Sequence, residues 1–283
     1  MSLKESLRSI WIITKYNLKV EMRYPLSYIS SIFNLLFWFL AFGAIAMIFS
    51  SAPHEESTII SNIIMWGLAS IIVFNIMISE VGYGIVRLQM RGTLEQVLLS
   101  PIAFWVLPLG LMTVQLLVCM FFIALVIVFM ILLFEAPIII VNPIGGIIGF
   151  ILLLTMSYGI SMFLAGMVIR IKRASWVLVQ ALTTFHWIFS GAFYRFSTVP
   201  SQILAVSRLI PLSYAIDVFR TSLMGLNPEL IQISVNLLGY TIPGALVEWI
   251  LTTLLSAALL VFGYISLTSA IKSGKRKGYL GQY

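Results

Sequence analysis

Long uncharged apolar runs alternate with short polar segments along the whole chain. A membrane-spanning helix needs about 20 consecutive apolar residues, whereas a strand of a membrane barrel would alternate over about 10. The pattern therefore predicts an all-α integral membrane protein with six transmembrane helices, in which residues 1–283 form a single transmembrane domain. The six predicted spans are residues 26–49, 59–86, 103–134, 144–169, 174–191 and 246–271.

Residues 1–24 precede the first span and have the pattern of an amphipathic helix. Apolar side chains, Trp11 among them, recur at helical spacing on one face, and basic side chains such as Lys15 gather on the other. This pattern predicts a helix that lies in the membrane interface, with a cytoplasmic helix packed only on protein as the alternative. Pro25 then ends the helix, because its ring clashes with the preceding turn.

Residues 192–245 are harder to assign, since charged residues and prolines interrupt each apolar stretch. We predict short helices here that lie on the outer membrane surface or dip into it, which makes the segment an extracellular re-entrant region. Residues 231–247 carry no charge, but polar residues, Gly and Pro interrupt them. Counting them as a seventh span would place the basic C-terminal tail outside the cell.

The distribution of charge predicts the orientation. The chain is 60% hydrophobic and 10% charged, with a net charge of +7. If the N terminus is cytoplasmic, the inside segments hold fourteen Lys and Arg residues, and the outside segments hold Arg195, Arg208 and Arg220. This bias predicts cytoplasmic N and C termini in the plasma (inner) membrane. We interpret the basic segments as anchors for anionic membrane lipids, so we expect no nucleic-acid partner.

Candidate catalytic or metal-binding groups are few. His54 and His186 are the only histidines, Cys119 is the only cysteine, and no cluster has metal-ligand spacing. Glu80 lies within the second predicted span, where it would either contact a substrate or proton, or pair with Arg87 or with the basic first helix at the inner interface. His186 lies within the fifth and would serve either a proton relay or a hydrogen-bonded structural role. We therefore expect no catalytic residue, metal or cofactor in this chain.

The most informative polar segment, residues 87–100, lies between the second and third spans on the predicted cytoplasmic side. Gly92 permits a sharp turn, Thr93 can cap the following helix, and Glu95 in the first turn suits the helix dipole. A basic turn ahead of a short amphipathic helix is what a membrane protein needs to dock a soluble partner. An ordinary capped interface helix without a partner is the alternative.

The sequence at this segment resembles the membrane subunits of ABC type-2 exporters, the drug, lipid and polysaccharide export permeases. Residues 92–95 have the sequence Gly-Thr-Leu-Glu and are followed by Ser100-Pro101. A second stretch, residues 189–220, is similar to the fifth-span and outer-hairpin signature of that family. The chain departs from the signature at Arg195, where a proline-containing turn is common, and at Ile210, where Asn is common.

By this resemblance, the chain is the membrane-spanning permease subunit of an ATP-binding cassette exporter. The resemblance implies a homodimer paired with two copies of a separate ABC ATP-binding subunit, which would bind ATP and Mg²⁺ and drive alternating access. The substrate would be hydrophobic or amphipathic, such as a drug, a lipid or a lipid-linked glycan, leaving the cytoplasm or inner leaflet. A stand-alone channel or secondary transporter is the alternative, which the sparse intramembrane charge and lack of internal repeats disfavour.

The resemblance also implies two sets of functional residues, neither of them catalytic. The residues implied in coupling to the ATPase are Arg87, Arg91, Gly92, Thr93, Leu94 and Glu95. The residues implied in the translocation path or outer gate are Glu80, Phe185, Phe189, Gly191, Phe193 and Tyr214.

Overall fold

The secondary structure of the described residues is almost entirely helical. The computed structural model describes residues 3–23, 54–90, 106–134, 137–171, 175–231, 235–237 and 240–277, with isolated positions 26, 29, 30, 32, 33, 36, 37, 40, 92 and 96. The elements run in the order α1 Leu3–Met22, α2 His54–Ile76, a π-helical segment Met77–Gly82, α3 Tyr83–Met90, α4 Val106–Phe134, α5 Pro143–Ile171, α6 Ser175–Phe189, a 3-10 turn Phe196–Thr198, α7 Ser201–Leu209, α8 Pro211–Leu223, β1 Val235–Leu237, β2 Tyr240–Ile242 and α9 Gly244–Lys277.

Several of these helices are long and apolar enough to cross a membrane. The four that qualify singly, within the described part of the chain, are Thr58–Ser79, Val106–Leu132, Pro143–Ile171 and Gly244–Gly274. The pair formed by α7 and α8 would qualify as a fifth, but it is bent by 104°, as in a broken span or a re-entrant loop. The predicted multi-pass helical class is confirmed, because a helix satisfies its own backbone hydrogen bonds inside lipid.

Two parts of the prediction lie largely outside the described residues. The first predicted span, 26–49, is described only at isolated positions, and these are helical. The coupling segment, 87–100, is described to Met90 and then only at Gly92 and Gln96.

α6 has 15 residues, which corresponds to about 22 Å at 1.5 Å per residue. It is therefore shorter than a hydrocarbon core of about 30 Å.

Some helices extend beyond the spans predicted from hydropathy. The second predicted span ends before Arg87, yet the helical backbone continues through the π-helical segment to Met90. In the same way, α9 continues to Lys277, beyond the predicted end at residue 271. A charged residue marks where a helix leaves the hydrocarbon, and it does not interrupt the backbone hydrogen bonds that define the helix.

The prediction of helices throughout residues 192–245 was wrong for one short stretch. β1 and β2 form an antiparallel pair in which Val235 faces Ile242 and Leu237 faces Tyr240. The strands contain β-branched and aromatic residues, which favour extended backbone. A pair of three-residue strands is too short to be recognised from alternation of apolar and polar residues alone.

α5 is the central helix and packs most extensively against α9. Glycines, which have no side chain, lie where the two helices cross. A Cβ added at Gly159 would lie 2.6 Å from the backbone of Leu259, and one added at Gly263 would overlap the carbonyl oxygen of Gly159. Small residues allow such close approach, which drives helix association in lipid. The opposite face of α9 leaves large apolar side chains exposed, as expected where lipid is the solvent.

The first helix combines features of both interpretations of residues 1–24. α1 packs against α4, where a Cβ added at Gly110 would lie 2.6 Å from Ile13 Cγ2. It also leaves Leu7 and Trp11 exposed. The helix therefore contacts protein on one side and offers an apolar, Trp-bearing face that an interfacial helix would insert among lipids.

Candidate functional site

The segment between α6 and the hairpin, residues 190–231, forms an irregular unit that we call the outer segment. It contains α7 and α8, which meet at a sharp bend. Ile210 lies at the bend in an extended conformation, and Pro211 occupies the first turn of α8. A residue before proline is disfavoured from helical backbone, and proline is favoured at a helix start. The Ile210-Pro211 dipeptide therefore ends one helix and begins the next.

A buried ion pair lies at the centre of the outer segment. Asp217 and Arg220 are one helical turn apart on α8, and both side chains are fully buried. Arg220 Nη2 and Nε donate to Asp217 Oδ1 at 2.8 and 3.1 Å. Asp217 Oδ2 in turn accepts the backbone N–H groups of Glu229 at 2.5 Å and Leu230 at 3.0 Å. A buried carboxylate needs such a complete set of donors to offset its desolvation.

The same arginine also fixes the turn that follows α6. Arg220 Nη1 donates to the carbonyl oxygens of Gly191 and, at 2.8 Å, Tyr194. The ring of Phe196 lies beneath the guanidinium, 5.1 Å from its carbon, in a cation–π contact. Gly191 has φ 77°, a conformation that favours glycine, and this reversal ends α6 before the predicted span end at residue 191. Arg220 thus joins the end of α6 to α8.

A second ion pair lies at a more exposed part of the segment. Arg195 Nη2 lies 2.5 Å from Glu229 Oε1, with side chains 39% and 13% exposed. Ser197 Oγ donates to Glu229 Oε2 at 3.0 Å. The backbone N–H of Glu229 therefore donates to Asp217, while its side-chain carboxylate binds Arg195 and Ser197.

The tyrosines of the segment contribute further hydrogen bonds. Tyr214 Oη donates to the carbonyl oxygen of Arg208 at 2.9 Å, which joins α8 back to α7. Tyr194 Oη lies 3.2 Å from Ser207 Oγ. Burial raises the pKa of Tyr194, while its hydrogen bonds to Ser207 and Gly191 and the charge of Arg220 oppose that rise. At neutral pH both tyrosines therefore act as neutral hydrogen-bonding groups.

The last helix reaches into this network through Glu248. The side chain projects from the second turn of α9 and is fully buried. Glu248 Oε2 accepts the backbone N–H of Ile231 at 2.9 Å. Asp217 Oδ2 accepts the backbone N–H of the preceding residue, Leu230, at 3.0 Å. Polar side chains thereby attach the outer segment to the end of α6 and to α9.

The structure places the residues predicted for the path or outer gate in different surroundings. Gly191 and Tyr214 belong to the hydrogen-bond network of the outer segment. Phe193 packs on Trp187, with ring centroids 5.6 Å apart. Glu80 lies in the π-helical segment after α2, away from this network along the chain, and its role as a path residue stays a prediction.

Phe185 and Phe189 lie on α6, on a face that the rest of the described chain leaves open. Their ring centroids are 4.9 Å apart. The two rings line a shallow groove of about 510 Å³, whose complete lining is Val177, Gln180, Ala181, Thr184, Phe185, Ile188 and Phe189. The groove is mostly apolar, with an amide and a hydroxyl as its polar groups.

His186 lies on the other face of the same helix and is buried. Its Nδ1 is 2.7 Å from the carbonyl oxygen of Leu182, one turn earlier. The imidazole also packs on Phe74 of α2, with ring centroids 4.7 Å apart. Of the two roles considered for His186, these contacts favour a hydrogen-bonded structural one.

The residues predicted to couple to an ATPase are only partly described. Arg91, Thr93, Leu94 and Glu95 lie outside the described residues. Arg87 is exposed on α3. Gly92 has φ 67°, which is the left-handed conformation of the sharp turn that its glycine permits. The role of the whole set stays a prediction.

The sequence reasoning missed the residues that organise the outer segment. Asp217 and Arg220 fall within the stretch used for the family resemblance, and their spacing on one helix face could have suggested a pair. Glu229 and Glu248 gave no local signal, since their partners lie elsewhere along the chain. The available indication was that charged residues are rare in this chain, so each of these two glutamates was a candidate for a structural or functional role.

Comparison with known proteins is consistent with this architecture. A family model described as ABC-2 type transporter matches residues 8–224, which includes most of the outer segment. Comparison with curated proteins found no match. The membrane domain of this family is the permease component, is not itself catalytic and normally works with an ATP-binding subunit. The chain belongs to the ABC-2 type transporter family and is a multi-pass permease component of an ABC transporter.

Proposed function

We propose that this permease exports a hydrophobic or amphipathic substrate, such as a drug, a lipid or a lipid-linked glycan. Two copies of the chain form a homodimer that pairs with two copies of a separate ATP-binding subunit. Each copy has six spans: the four long described helices, α6 and the predicted span at 26–49. Both termini are cytoplasmic in the plasma (inner) membrane, in agreement with the bias of basic residues.

The exposed groove on α6 is the observation that carries this proposal. Ligand sites are mostly apolar with a few polar groups that orient the ligand. Phe185 and Phe189 supply flat apolar walls, and Gln180 and Thr184 supply an amide and a hydroxyl. This combination suits an amphipathic molecule. In a homodimer, two such faces would form the walls of a path between the protomers, with the outer segments above it.

Coupling would pass through residues 87–100. The turn at Gly92 redirects the chain after α3, and Arg91, Thr93, Leu94 and Glu95 would contact a groove of the ATP-binding subunit. ATP and Mg²⁺ would be held by that partner. ATP binding drives transport only if it favours the outward-facing state over the inward-facing one. The π-helical segment before α3 is a place where that shift could bend the helix, since such segments recur at functional sites.

The first test is co-purification from the native membrane in mild detergent, followed by an ATPase assay. A stoichiometric ATP-binding subunit with ATPase activity is expected. Recovery of the 31.7 kDa chain alone, without nucleotide hydrolysis, would instead support the stand-alone channel or secondary transporter.

A charge reversal tests the coupling residues. Glu95→Arg should weaken association with the ATP-binding subunit or uncouple ATP hydrolysis from transport in reconstituted vesicles. Gln96→Arg adds a positive charge at the next position and is the matched control, with assembly and transport retained. Equal behaviour of the two variants would contradict the role assigned to Glu95.

A further inference from the structure

The end of α9 that lies farthest from the outer segment has a second groove on its surface. About 36 Å of helix, at 1.5 Å per residue, separates Glu248 from Lys272, which exceeds a hydrocarbon core of about 30 Å. The groove therefore lies at the opposite membrane surface from the outer segment. Its volume is about 510 Å³, and it is lined by Ile265, Thr268, Ser269, Lys272, Ser273 and Arg276.

The residues of this α9 groove form one stripe, and their polarity changes along it. They recur at the three- and four-residue spacing of a single helix face. Ile265 lies nearest the membrane centre, and the hydroxyl groups of Thr268 and Ser269 follow one turn later. Lys272 and Arg276 lie toward the helix end. The order apolar, hydroxyl, cationic is the order in which a phospholipid presents its acyl chains, its glycerol esters and its phosphate.

The cations of the groove are not neutralised by the described part of the chain. Lys272 and Arg276 are exposed, and neither makes a hydrogen bond or an ion pair with another described residue. Arg170 at the end of α5 adds a third positive charge, since its Nη2 donates to Ser269 Oγ at 2.9 Å. Positive charge concentrated at a membrane surface attracts anionic lipid headgroups.

The bond from Arg170 also determines what the Ser269 hydroxyl can do. Because its oxygen accepts the guanidinium N–H, its own O–H is left to donate. Thr268 instead donates its hydroxyl to the carbonyl oxygens of Tyr264 and Ile265. Ser269 is thus a hydroxyl donor beside two cationic donors. Phosphate oxygens form strong, charge-assisted hydrogen bonds with such groups.

We infer that the α9 groove binds the headgroup of an anionic phospholipid, whose phosphate oxygens are held by Lys272, Arg276 and the hydroxyl of Ser269. The acyl chains continue along Val261 and Phe262, which are exposed on the same helix face. This lipid is a bound component of the permease and is distinct from any transported lipid, because the proposed path lies on α6. The inference holds whatever substrate the permease moves.

The depth of the groove favours a lipid over a soluble occupant. The apolar span of α9 extends to Gly274, so Ile265 and Ser269 lie within it. A free phosphate ion or an acidic surface of a soluble protein could contact Lys272 and Arg276 at the helix end. Neither would fill the apolar part of the groove, whereas a phospholipid fills both parts.

Native mass spectrometry of the purified full chain tests the inference. The chain is titrated in detergent with phosphatidylglycerol and, separately, with phosphatidylcholine that has the same acyl chains. We expect one phosphatidylglycerol to bind per chain, in preference to phosphatidylcholine. Lys272→Gln combined with Arg276→Gln should weaken the binding of phosphatidylglycerol about tenfold or more. Equal binding of the two lipids by the wild type would overturn the inference.

Two matched variants separate a defined site from general positive charge. Lys15→Gln combined with Lys19→Gln removes the same charge from exposed positions of α1 and should leave the binding of phosphatidylglycerol unchanged. Lys272→Arg combined with Arg276→Lys keeps both charges and should bind as the wild type does. Equal losses in the two glutamine pairs would show that the charge of the chain attracts the lipid without a site on α9, and would overturn the inference.

Three further measurements distinguish the sources of the bound group. Inorganic phosphate should not displace the bound lipid, and displacement would assign the groove to a free anion. Phe185→Ala changes the proposed path and should retain the lipid, whereas its loss there would place the lipid in the path. If the glutamine pair at Lys272 and Arg276 binds phosphatidylglycerol normally but no longer co-purifies with an ATP-binding subunit, the groove is a protein interface. Each of these three contrary results would overturn the inference.

Discussion

The outer segment and the crossing of α5 with α9 are held together by opposite means. At the crossing, Gly159 and Gly263 have no side chains, so the backbones of two regular helices can approach closely. In the outer segment, bulky charged side chains such as Arg220 are fully buried and bind irregular backbone. The difference shows that regular helices associate through close packing, whereas irregular backbone needs buried polar side chains to pair its N–H and C=O groups.

The physical reason lies in the backbone hydrogen bonds. A helix satisfies its own N–H and C=O groups, so helices in lipid need only shape to associate. The turn after α6 and the loop at Glu229 and Leu230 have backbone groups without helical partners. Buried N–H and C=O groups must be paired, and here Arg220 supplies the donors and Asp217 the acceptor.

The largest loss of stability is expected from removing the central cation. Arg220→Met leaves Asp217 buried without its partner and frees the carbonyl oxygens of Gly191 and Tyr194. Breaking a buried pair in this way costs about 3–5 kcal/mol. Thermal unfolding and limited proteolysis of the outer segment would measure the effect.

Arg208→Met is the matched control for that variant. Arg208 Nε donates to the carbonyl oxygen of Leu230 at 3.1 Å, so its loss should cost only about 1 kcal/mol. Removing the buried charge as well, with Asp217→Asn added to Arg220→Met, should restore part of the lost stability, because the amide oxygen can still accept the N–H groups of Glu229 and Leu230. A double variant no more stable than the single one would show that the unpaired charge of Asp217 is not what destabilises Arg220→Met.

The next largest effect is expected at the helix crossing. Gly159→Val introduces side-chain atoms where even a Cβ would lie 2.6 Å from the backbone of Leu259. Overpacking of this kind costs about 1–3 kcal/mol. Ala258→Val, on an exposed position of α9, adds the same kind of side chain without a clash. Equal thermal midpoints for the two variants would refute the claim that close packing at Gly159 stabilises the contact between α5 and α9.

A smaller effect is expected from the second ion pair. Arg195→Gln removes the partner of Glu229, but the arginine side chain is 39% exposed and water screens the pair. The expected cost is about 0.5–1 kcal/mol, and it should shrink further at high salt. A thermal midpoint measured at low and at high salt checks both statements, and a salt-independent loss would point to a buried role.

The smallest effect on stability, with the largest on transport, is expected on α6. Phe185 is 42% exposed, so Phe185→Ala should change the free energy of unfolding by about 0.5 kcal/mol or less. Transport by the reconstituted complex should nevertheless fall. Leu254→Ala, on the exposed face of α9, is the control and should alter neither quantity. Equal transport by the two variants would contradict the proposed path.

The sequence was sufficient to identify the long helices. Their apolar runs are continuous, and the free energy of placing each residue in lipid depends mainly on that residue. The sequence was less informative where several effects compete. The hairpin at Val235 and Ile242 depends on pairing between strands, and the ends of α3 and α9 lie beyond the hydrocarbon, where hydropathy no longer reports on structure.

The candidate site could be predicted only in part for a related reason. Gly191 and Tyr214 were identified from a family resemblance in which they form a recognisable stretch. Phe185 and Phe189 were assigned with them, and the structure places both on one open face of α6. Glu248 was missed because nothing near it in the chain indicates that its carboxyl group accepts the N–H of Ile231.

What the sequence determined by itself was the solvent of each segment. Whether a stretch lies in lipid or in water follows from composition summed along the chain, and this is a local property. Only the tertiary structure decided which charged groups meet. The bend at Ile210-Pro211 turns α8 so that Arg220 faces the end of α6 and Asp217 faces the loop at Glu229. Electrostatic and hydrogen-bond energies depend on distance and burial in three dimensions, and no pattern along the chain encodes those.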